Sequence, residues 1–311
     1  MRQNTCLGMS LVELLVAMAI ASILGAMILQ MVIGFQARIL TEVSRNDLQD
    51  RAERLIRFLA GDIRDAAFLL GPVPQVAGGS ALALVHDSLS GDPLEPFPFS
   101  VISADNSSED DRLTIVKAVS FTPPLRLAQP GVSGESSLVL NRRPNLSPGS
   151  TRELQPAPEA INHLVLANHR LCYAVQLAEL SLQLHQPLFA DVPVDTEVLG
   201  VRAYTFQLDP AGGSKRLRRD DFTSRDILDD AVDGLQFEYL LTDGSLVNLP
   251  TRPQDVRGIR ISLLVRDLRA DQGYTNETVY MLGNRSYGPF RDHYRRSQVS
   301  QLVEVKNHGL Q

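Results

Sequence analysis

The residues from Leu14 to Phe35 form a run of twenty-two without a single charge. At about 1.5 Å per residue, a helix of this length is about 33 Å long, enough to cross a hydrocarbon core of ~30 Å. In water such a helix would expose apolar surface on every face, so a soluble fold could hold it only as a central buried helix. The run therefore predicts a membrane-spanning helix close to the N-terminus.

Two other kinds of N-terminal segment compete with this interpretation. A cleaved signal peptide fits the small-x-small patterns at Ala17-Met18-Ala19 and Ala19-Ile20-Ala21, but the apolar run continues well past both. A lipoprotein signal fits poorly because Cys6 precedes the run. A membrane helix that is retained in the mature protein remains the favoured interpretation.

The rest of the chain has the composition of a folded, water-soluble domain. Apolar residues make up 44% of its 311 residues and charged residues 21%. The net charge of -6 argues against a broad nucleic-acid-binding surface. With two cysteines only, Cys6 and Cys172, the chain has neither a disulfide scaffold nor a four-cysteine zinc site.

One carboxylate, Glu13, lies within the apolar register, between Val12 and Leu14. An ionised side chain in hydrocarbon costs about 2.5–3.5 kcal/mol or more on insertion scales, so it indicates a function and a partner. The alternative is that Glu13 lies among the lipid headgroups and stays solvated.

The segment Gly8–Ala17, GMSLVELLVA, resembles the prepilin cleavage and methylation signature of type IV pilins and type II secretion pseudopilins. The resemblance implies that residues 1–8 are a leader, that prepilin peptidase cuts between Gly8 and Met9, and that it N-methylates Met9. Met9 stands where the commonest pattern has Phe. Loss of the leader would leave Cys172 as the only cysteine.

The resemblance also gives Glu13 a partner, because in this family the carboxylate faces the N-terminal amine of a neighbouring subunit. The two charges attract strongly at low dielectric, so the pair would favour assembly. Ala17, Ala21 and Gly25 recur at four-residue spacing and form a ridge of small residues that allows close helix packing. The family places the leader in the cytoplasm and the head in the periplasm, on a single-pass anchor in the inner membrane.

Beyond the apolar run the helical period continues with charges on the outer faces, which predicts an amphipathic continuation that ends before Gly71-Pro72-Val73-Pro74. We therefore expect an α+β, pilin-like fold: a transmembrane and assembly helix over residues 9–35, its amphipathic continuation over 36–70, and a mainly antiparallel β head over 71–311. A proline-rich stretch near 122–160 is interpreted as a long loop or an insertion, compatible with a bilobed head.

Short alternating or β-branched runs in the head predict its strands. The candidates are Ala81–His86, Phe99–Ser103, Leu113–Val119, Ser137–Leu140, His163–Leu166, Leu171–Leu177, Val198–Leu208, Leu235–Leu241, Ile259–Leu268, Thr278–Leu282 and Val299–Val305. Thr242-Asp243-Gly244-Ser245 is a predicted hairpin turn. Cys172 is expected to be a buried thiol in its strand.

The C-terminal third resembles PilW-type minor pilins. The resemblance lies in Gly234–Tyr239, Val256–Arg266, Tyr294-Arg295-Arg296 and Val303–Asn307. It implies a minor pilin that takes part in type IV pilus assembly, with prepilin peptidase, other minor pilins, the major pilin and the inner-membrane assembly platform as partners. A J-type minor pseudopilin of type II secretion has the same kind of stem and remains an alternative.

No catalytic motif and no cofactor fingerprint is found, and the six histidines show no metal-site spacing. We therefore expect neither enzymatic activity nor a cofactor or metal. Glu109-Asp110-Asp111 and Asp220-Asp221 are interpreted as solvated loop acids, and Lys215–Arg219 as an exposed hairpin end. A membrane-tethered periplasmic enzyme, binding or adhesion module, or a DNA-uptake module using Lys215–Arg219, is the alternative of another class.

Overall fold

The computed structural model describes residues 11–67, 70, 75–76, 102–106, 109–143, 162–166, 171–178, 180–211, 214–220 and 225–305. The first element is the helix α1, Leu11–Arg64. Sixteen strands follow among the described residues: β1 Gln75–Val76, β2 Ile102–Asp105, β3 Arg112–Arg126, β4 Ser137–Val139, β5 Asn162–Leu166, β6 Leu171–Ala178, β7 Ser181–Leu184, β8 Glu197–Ala211, β9 Ser214–Asp220, β10 Arg225–Asp229, β11 Val232–Leu241, β12 Leu246–Val247, β13 Val256–Arg266, β14 Tyr280–Leu282, β15 Arg285–Tyr287 and β16 Arg296–Glu304. A short 3-10 helix, Pro253–Asp255, precedes β13.

The chain divides into two compact units, Met1–Asp50 and Arg51–Gln311. The first unit contains the apolar part of α1. The second contains the last turns of α1 and all the strands. An N-terminal apolar helix followed by a mostly antiparallel β domain is the expected α+β, pilin-like fold.

The last turns of α1 have one buried stripe, as the sequence period predicts. The buried side chains are Ala52, Leu55, Ile56, Leu59, Ala60 and Ile63. Arg54 and Arg57 are exposed on the opposite face. This segment is therefore amphipathic within the second unit.

The helix ends at Arg64, six residues before the predicted Leu70. Asp65–Ala67 form a turn instead, and Ala67 adopts a left-handed conformation with φ of 64°. The Ala67 N–H donates to the Val116 carbonyl of β3 at 2.9 Å. A hydrogen bond to the sheet thus replaces the next bond of the helix, which no local sequence signal predicted.

Ten strands form the larger sheet, in the order β10-β9-β8-β5-β6-β7-β4, with β3 also paired to β8. Part of this sheet closes into a ring. Beyond β4, Leu140 bridges to Leu127, which directly follows β3, and the Leu127 N–H donates to the Thr196 carbonyl just before β8 at 3.0 Å. The ring therefore runs through β8, β5, β6, β7, β4 and the end of β3.

The interior of the ring is a hydrophobic core. Its buried residues are Phe121, Leu125, Leu127, Leu138, Leu140, Leu166, Tyr173, Val175, Leu182, Leu184, Leu188, Val192 and Val198. Gly200 of β8 leaves room for the ring of Phe121, whose Cζ would lie 3.0 Å from an added Cβ.

The described part of the proline-rich stretch contains strand as well as loop, since residues 122–126 belong to β3 and residues 137–139 form β4. An insertion between two lobes stays a prediction. Pro123 and Pro124 lie in β3, where the pairing with β8 shifts between Ser120 and Leu125. Proline cannot donate a ladder hydrogen bond, so a bulge is where a strand tolerates it. Residues 144–160 of the stretch lie outside the described residues.

The smaller sheet has the order β12-β11-β13-β16 and is antiparallel throughout. β11 and β12 are joined at the predicted turn, where Gly244 has a φ of 84°. The hairpin of β14 and β15 packs Leu282 and Tyr287 against Leu264 of β13.

All predicted strands that fall on described residues are present, while the predicted strand Ala81–His86 lies outside the described residues. The sequence missed β1, β7, β9, β10, β12 and β15.

Candidate assembly helix and the contacts of the head

The apolar part of α1 has the length and composition of a membrane crossing. Leu14–Gln36 has 23 residues and a mean hydropathy of 2.3, and none of its described side chains is buried within the chain. Exposed side chains include Leu15, Ile23, Ile28 and Phe35, each more than half accessible. A soluble helix this apolar would be buried, so this segment fits a single-pass membrane anchor.

The predicted processing and assembly residues lie at or beyond the start of the described chain. Gly8 and Met9 lie outside the described residues, whereas Glu13 lies in the first turns of α1. The side chains of Glu13 and Ala17 are not among those described. The pairing of Met9 with Glu13 therefore stays a prediction.

The remaining ridge residues are further along α1. Ala21 and Gly25 are both exposed. A Cβ added at Gly25 would meet no atom of the chain within 4 Å. The surface at these two positions is open to a neighbouring helix, but close packing there also stays a prediction.

In the head, the basic cluster Lys215–Arg219 lies within β9 rather than forming an exposed hairpin end. The hairpin itself is present, since β8 and β9 pair up to Ala211 and Ser214. Leu217 is fully buried, and only Arg216 of the cluster is exposed. The prediction of an exposed cluster is wrong because nearby carboxylates neutralise and cover its cations.

Each cation of this cluster has an acidic partner. Lys215 Nζ lies 2.5 Å from Asp110 and 3.2 Å from Glu109, and Arg216 Nε lies 2.9 Å from Asp230. Arg218 pairs with Asp209 and with Asp220. Burial alone would lower the pKa of Lys215, but Asp110 and Glu109 outweigh burial and raise it. The cluster is thus a set of structural ion pairs.

The fifth cation, Arg219, connects β9 to α1. Its Nη1 lies 3.2 Å from Asp62 Oδ2, and its Nη2 lies 2.8 Å from Asp226 Oδ2. Lys117 of β3 lies 2.8 Å from the other oxygen of Asp62. We call Asp62, Lys117, Arg219 and Asp226 the helix ion cluster.

Aromatic rings support the same cluster. The Arg219 guanidinium lies 5.1 Å from the ring centre of Phe58 on α1 and 5.3 Å from that of Tyr204 on β8. Lys117 Nζ lies 5.1 Å from the ring of Tyr204. Burial alone would lower the pKa of Arg219, but Asp226 and Asp62 raise it. Cations between carboxylates and rings hold the last turns of α1 on the larger sheet.

A second ion cluster organises the C-terminal sheet. The side chain of Arg296 on β16 is 1% exposed and lies 2.6 Å from Asp233 of β11 and 2.7 Å from Asp292. Its guanidinium lies 3.6 Å from the ring centre of Phe290. The hydrogen bond from Arg296 lowers the pKa of Asp292. Arg296 belongs to the segment Tyr294-Arg295-Arg296, in which no local sequence signal indicates burial.

The acidic residues at 109–111 do not all behave as solvated loop acids. Glu109 is exposed, Asp110 is half-buried, and Asp111 is 3% exposed. The sequence interpretation is therefore wrong for Asp111, because its segment packs against β11. Asp220, also interpreted as a loop acid, lies in β9 and pairs with Arg218.

The described side chains offer no metal centre, since no group of three or more His, Cys, Asp or Glu among them could hold an ion. Of the histidines, His293 has its Nδ1 2.7 Å from the Tyr274 carbonyl. Cys172 lies in β6, but its side chain is outside the described set.

Two family models match the chain, one at each end. Residues 221–307 match the type IV pilus-assembly protein W family, abbreviated PilW. Residues 3–29 match the prokaryotic N-terminal methylation motif. Neither a curated protein nor a solved structure matches the chain. The first match spans β10 to β16 and includes the buried Arg296, and the second spans the predicted cleavage site and most of the apolar run. The chain is therefore a PilW-like, type IV pilus-related protein with a prepilin-type N-terminus.

Proposed function

We propose that this chain is a non-catalytic minor pilin of a type IV pilus. Before assembly it is held in the inner membrane by residues 9–35, and residues 71–311 form a periplasmic head. It is then incorporated into a priming complex or into the fibre. The observation that carries this proposal is the overlap of the methylation motif, residues 3–29, with the uncovered apolar helix Leu14–Gln36. The PilW match in the same chain favours the pilus over a secretion pseudopilus.

In this proposal, prepilin peptidase removes residues 1–8 and methylates the amine of Met9. The carboxylate of Glu13 then pairs with the Met9 amine of a neighbouring subunit, and Ala17, Ala21 and Gly25 allow the two helices to approach. Met9 and Glu13 are only four residues apart in one chain, so in this proposal the partner of Glu13 comes from another subunit. An unpaired carboxylate in hydrocarbon is costly, so the membrane itself favours assembly.

Intact-mass analysis of the protein extracted from membranes tests the processing step. We expect a chain that begins at an N-methylated Met9. A Gly8→Leu variant should keep its leader, because a side chain at this position obstructs cleavage.

Gly34→Leu is the matched control. It makes the same substitution at the far end of the apolar run, where an added Cβ meets nothing within 4 Å. This variant should be processed like the native chain. A native protein that keeps residues 1–8 would contradict the proposal, and so would a Gly8→Leu variant of mature size.

A further inference from the structure

The larger and the smaller sheet meet where residues 109–111 run along β11. The Asp111 N–H donates to the Leu235 carbonyl at 3.0 Å. In return, the Leu235 N–H donates to Asp110 Oδ1 at 3.2 Å, and the Phe237 N–H donates to Asp111 Oδ2 at 2.8 Å. Two carboxylates thus satisfy backbone donors on the edge of β11 opposite β13. We call Asp110, Asp111, Leu235 and Phe237 the carboxylate junction.

The two acids of the junction have different surroundings. Asp110 pairs with Lys215 at 2.5 Å and accepts a hydrogen bond from the Tyr287 hydroxyl at 3.0 Å. Asp111 is 3% exposed, and its Oδ1 is buried without a hydrogen-bond partner among the described residues. A negative charge is therefore compensated at Asp110 and poorly compensated at Asp111.

Several titratable and charged groups surround Asp111. They are Asp105 at the end of β2, Glu109 and Asp110 beside it, Arg112 of β3, Lys215 of β9, Tyr239 of β11, and Arg285 and Tyr287 of β15. Arg285 has the largest favourable charge effect on Asp111, but its Nη2 donates to the carbonyl oxygen and Oδ1 of Asn106 at 3.0 and 3.1 Å.

Burial is the largest influence on Asp111 and raises its pKa to about 6, against the Phe237 hydrogen bond and the attraction of Arg285. Burial also raises the pKa of Tyr239 and Tyr287, which therefore stay neutral at ordinary pH. The pKa of Lys215 is raised too, so Lys215 stays charged. Asp111 is the member of this set whose shifted pKa falls between pH 5 and 7.

A cavity gives the ionised carboxylate a route to water. Asp111 lines a cavity of about 290 Å³ together with Glu109, Gln207, Pro210 and Lys215. Opening of the junction would release Asp111 from the Phe237 N–H and let water reach it. The charged form gains hydration by this movement, whereas the neutral form loses a hydrogen bond for little return.

We propose that the carboxylate junction is a pH-sensitive latch between the two sheets, held closed by neutral Asp111 and weakened when Asp111 ionises. This inference is independent of the pilus role, since it rests on contacts within the head alone.

The direction of the effect follows from proton binding. In the open state the carboxyl has its ordinary pKa of 3.8, so the closed state binds more protons between about pH 4 and pH 6. The closed state therefore loses stability as pH rises through this window. The full change in the ratio of closed to open states is on the order of 100-fold, of which about tenfold falls between pH 5 and pH 7.5.

Hydrogen exchange of the full-length protein in detergent micelles tests the latch. We expect the protection factor of the Phe237 amide, corrected for the intrinsic exchange rate, to fall about tenfold from pH 5 to pH 7.5. Amides in the closed ring, such as those of Val175 and Leu182, should keep the same protection factors over this pH range. A protection factor of the Phe237 amide that is constant over this range would overturn the proposal. This measurement uses the native protein and needs no variant.

Asp111→Asn adds a second test, because Asn keeps an acceptor for the Phe237 N–H but cannot ionise. In this variant we expect protection of Phe237 that is independent of pH. Asp230→Asn is the matched control, since Asp230 is an exposed acid between β10 and β11, and it should behave like the native chain. A folded Asp111→Asn variant with the native pH dependence would show that another group titrates and would overturn the proposal.

Discussion

Arg219 of β9 and Asp62 of α1 form an ion pair of 3.2 Å although 157 residues separate them in the sequence. Both side chains are largely buried, at 23% and 15% exposure. Arg219 also contacts Asp226 and the ring of Phe58. This one guanidinium therefore ties the last turns of the helix to the larger sheet.

Removing that guanidinium should weaken the head. We expect Arg219→Ala to lower the free energy of unfolding by about 2–3 kcal/mol, because the variant leaves Asp62 and Asp226 short of a cation and loses the contact with Phe58. The loss of unfolding free energy for Arg219→Lys should lie between zero and that of Arg219→Ala, since a lysine keeps the charge but not the planar guanidinium. Urea unfolding of the full-length protein in detergent measures both losses.

Arg216→Ala is the control: its ion pair with Asp230 is solvent-exposed, so we expect a loss of unfolding free energy below about 0.5 kcal/mol. Equal losses for Arg219→Ala and Arg216→Ala would contradict this assignment.

The neutralised basic cluster should not bind DNA. Lys215 and Arg218 are already paired with acids, so they release few counterions from a phosphate backbone. Fluorescence anisotropy with double-stranded DNA at 50 and 200 mM salt should show no salt-dependent affinity. Binding that falls steeply with salt and is lost in Arg216→Ala would support a DNA-uptake module instead.

Gly234 of β11 lies too close to Tyr287 to carry a side chain. An added Cβ would be 2.9 Å from Tyr287 Cε1, and Tyr287 is held by its hydroxyl at Gln236 and Asp110. We expect Gly234→Ala to destabilise the head by about 1–3 kcal/mol. Gly61→Ala is the matched control, since Gly61 lies in α1 with open space around it and alanine favours a helix by about 0.5–1 kcal/mol. A Gly234→Ala variant as stable as native in thermal unfolding would show that Tyr287 moves aside freely.

The buried Arg296 should be far more sensitive than its neighbour Arg295. Arg296→Met leaves Asp233 and Asp292 without their cation, and breaking a buried pair from one side costs about 3–5 kcal/mol. The side chain of Arg295 is 30% exposed where it meets Asp271, so we expect Arg295→Met to cost about 1 kcal/mol or less. Denaturant unfolding compares the two. Similar losses would indicate that the burial of Arg296 contributes little.

Glu13→Ala should separate processing from assembly. If the carboxylate pairs with a neighbour's Met9 amine, this variant is cleaved normally but is depleted at least tenfold from sheared pili, or fails to support piliation. Immunoblots of membrane and pilus fractions measure both steps. Glu42→Ala, at an exposed acid beyond the apolar run, should assemble like native. Normal incorporation of Glu13→Ala would mean that Glu13 has no docking role.

Local patterns in the sequence predict most of the helices and strands, but not the closure of strands into a ring. The apolar run, the buried stripe from Ala52 to Ile63 and the Gly244 turn follow from residue type and period alone. The ring could not be predicted, because it depends on Leu127 meeting both Leu140 and Thr196 across the fold. Runs of polar residues such as β9 were missed as strands, since their stabilisation comes from cross-strand ion pairs with Asp209 and Asp226.

The candidate site shows the same division. Gly8, Met9 and Glu13 are predicted from the spacing of a short motif, which needs no tertiary structure, and their roles stay predictions. The roles of Asp111, Arg219 and Arg296 come from burial and from partners distant in the chain. Charged residues in a sequence look alike whether they face solvent or a buried partner, so only the fold distinguishes them.

The closed ring of strands has a consequence for how this head can be recognised. Each strand segment in that ring has a neighbour on both sides, so its main-chain donors and acceptors already form hydrogen bonds within the ring. Another chain cannot lengthen the ring by adding a strand to it, and any subunit or receptor that meets this part of the head must do so through its side chains and connecting turns.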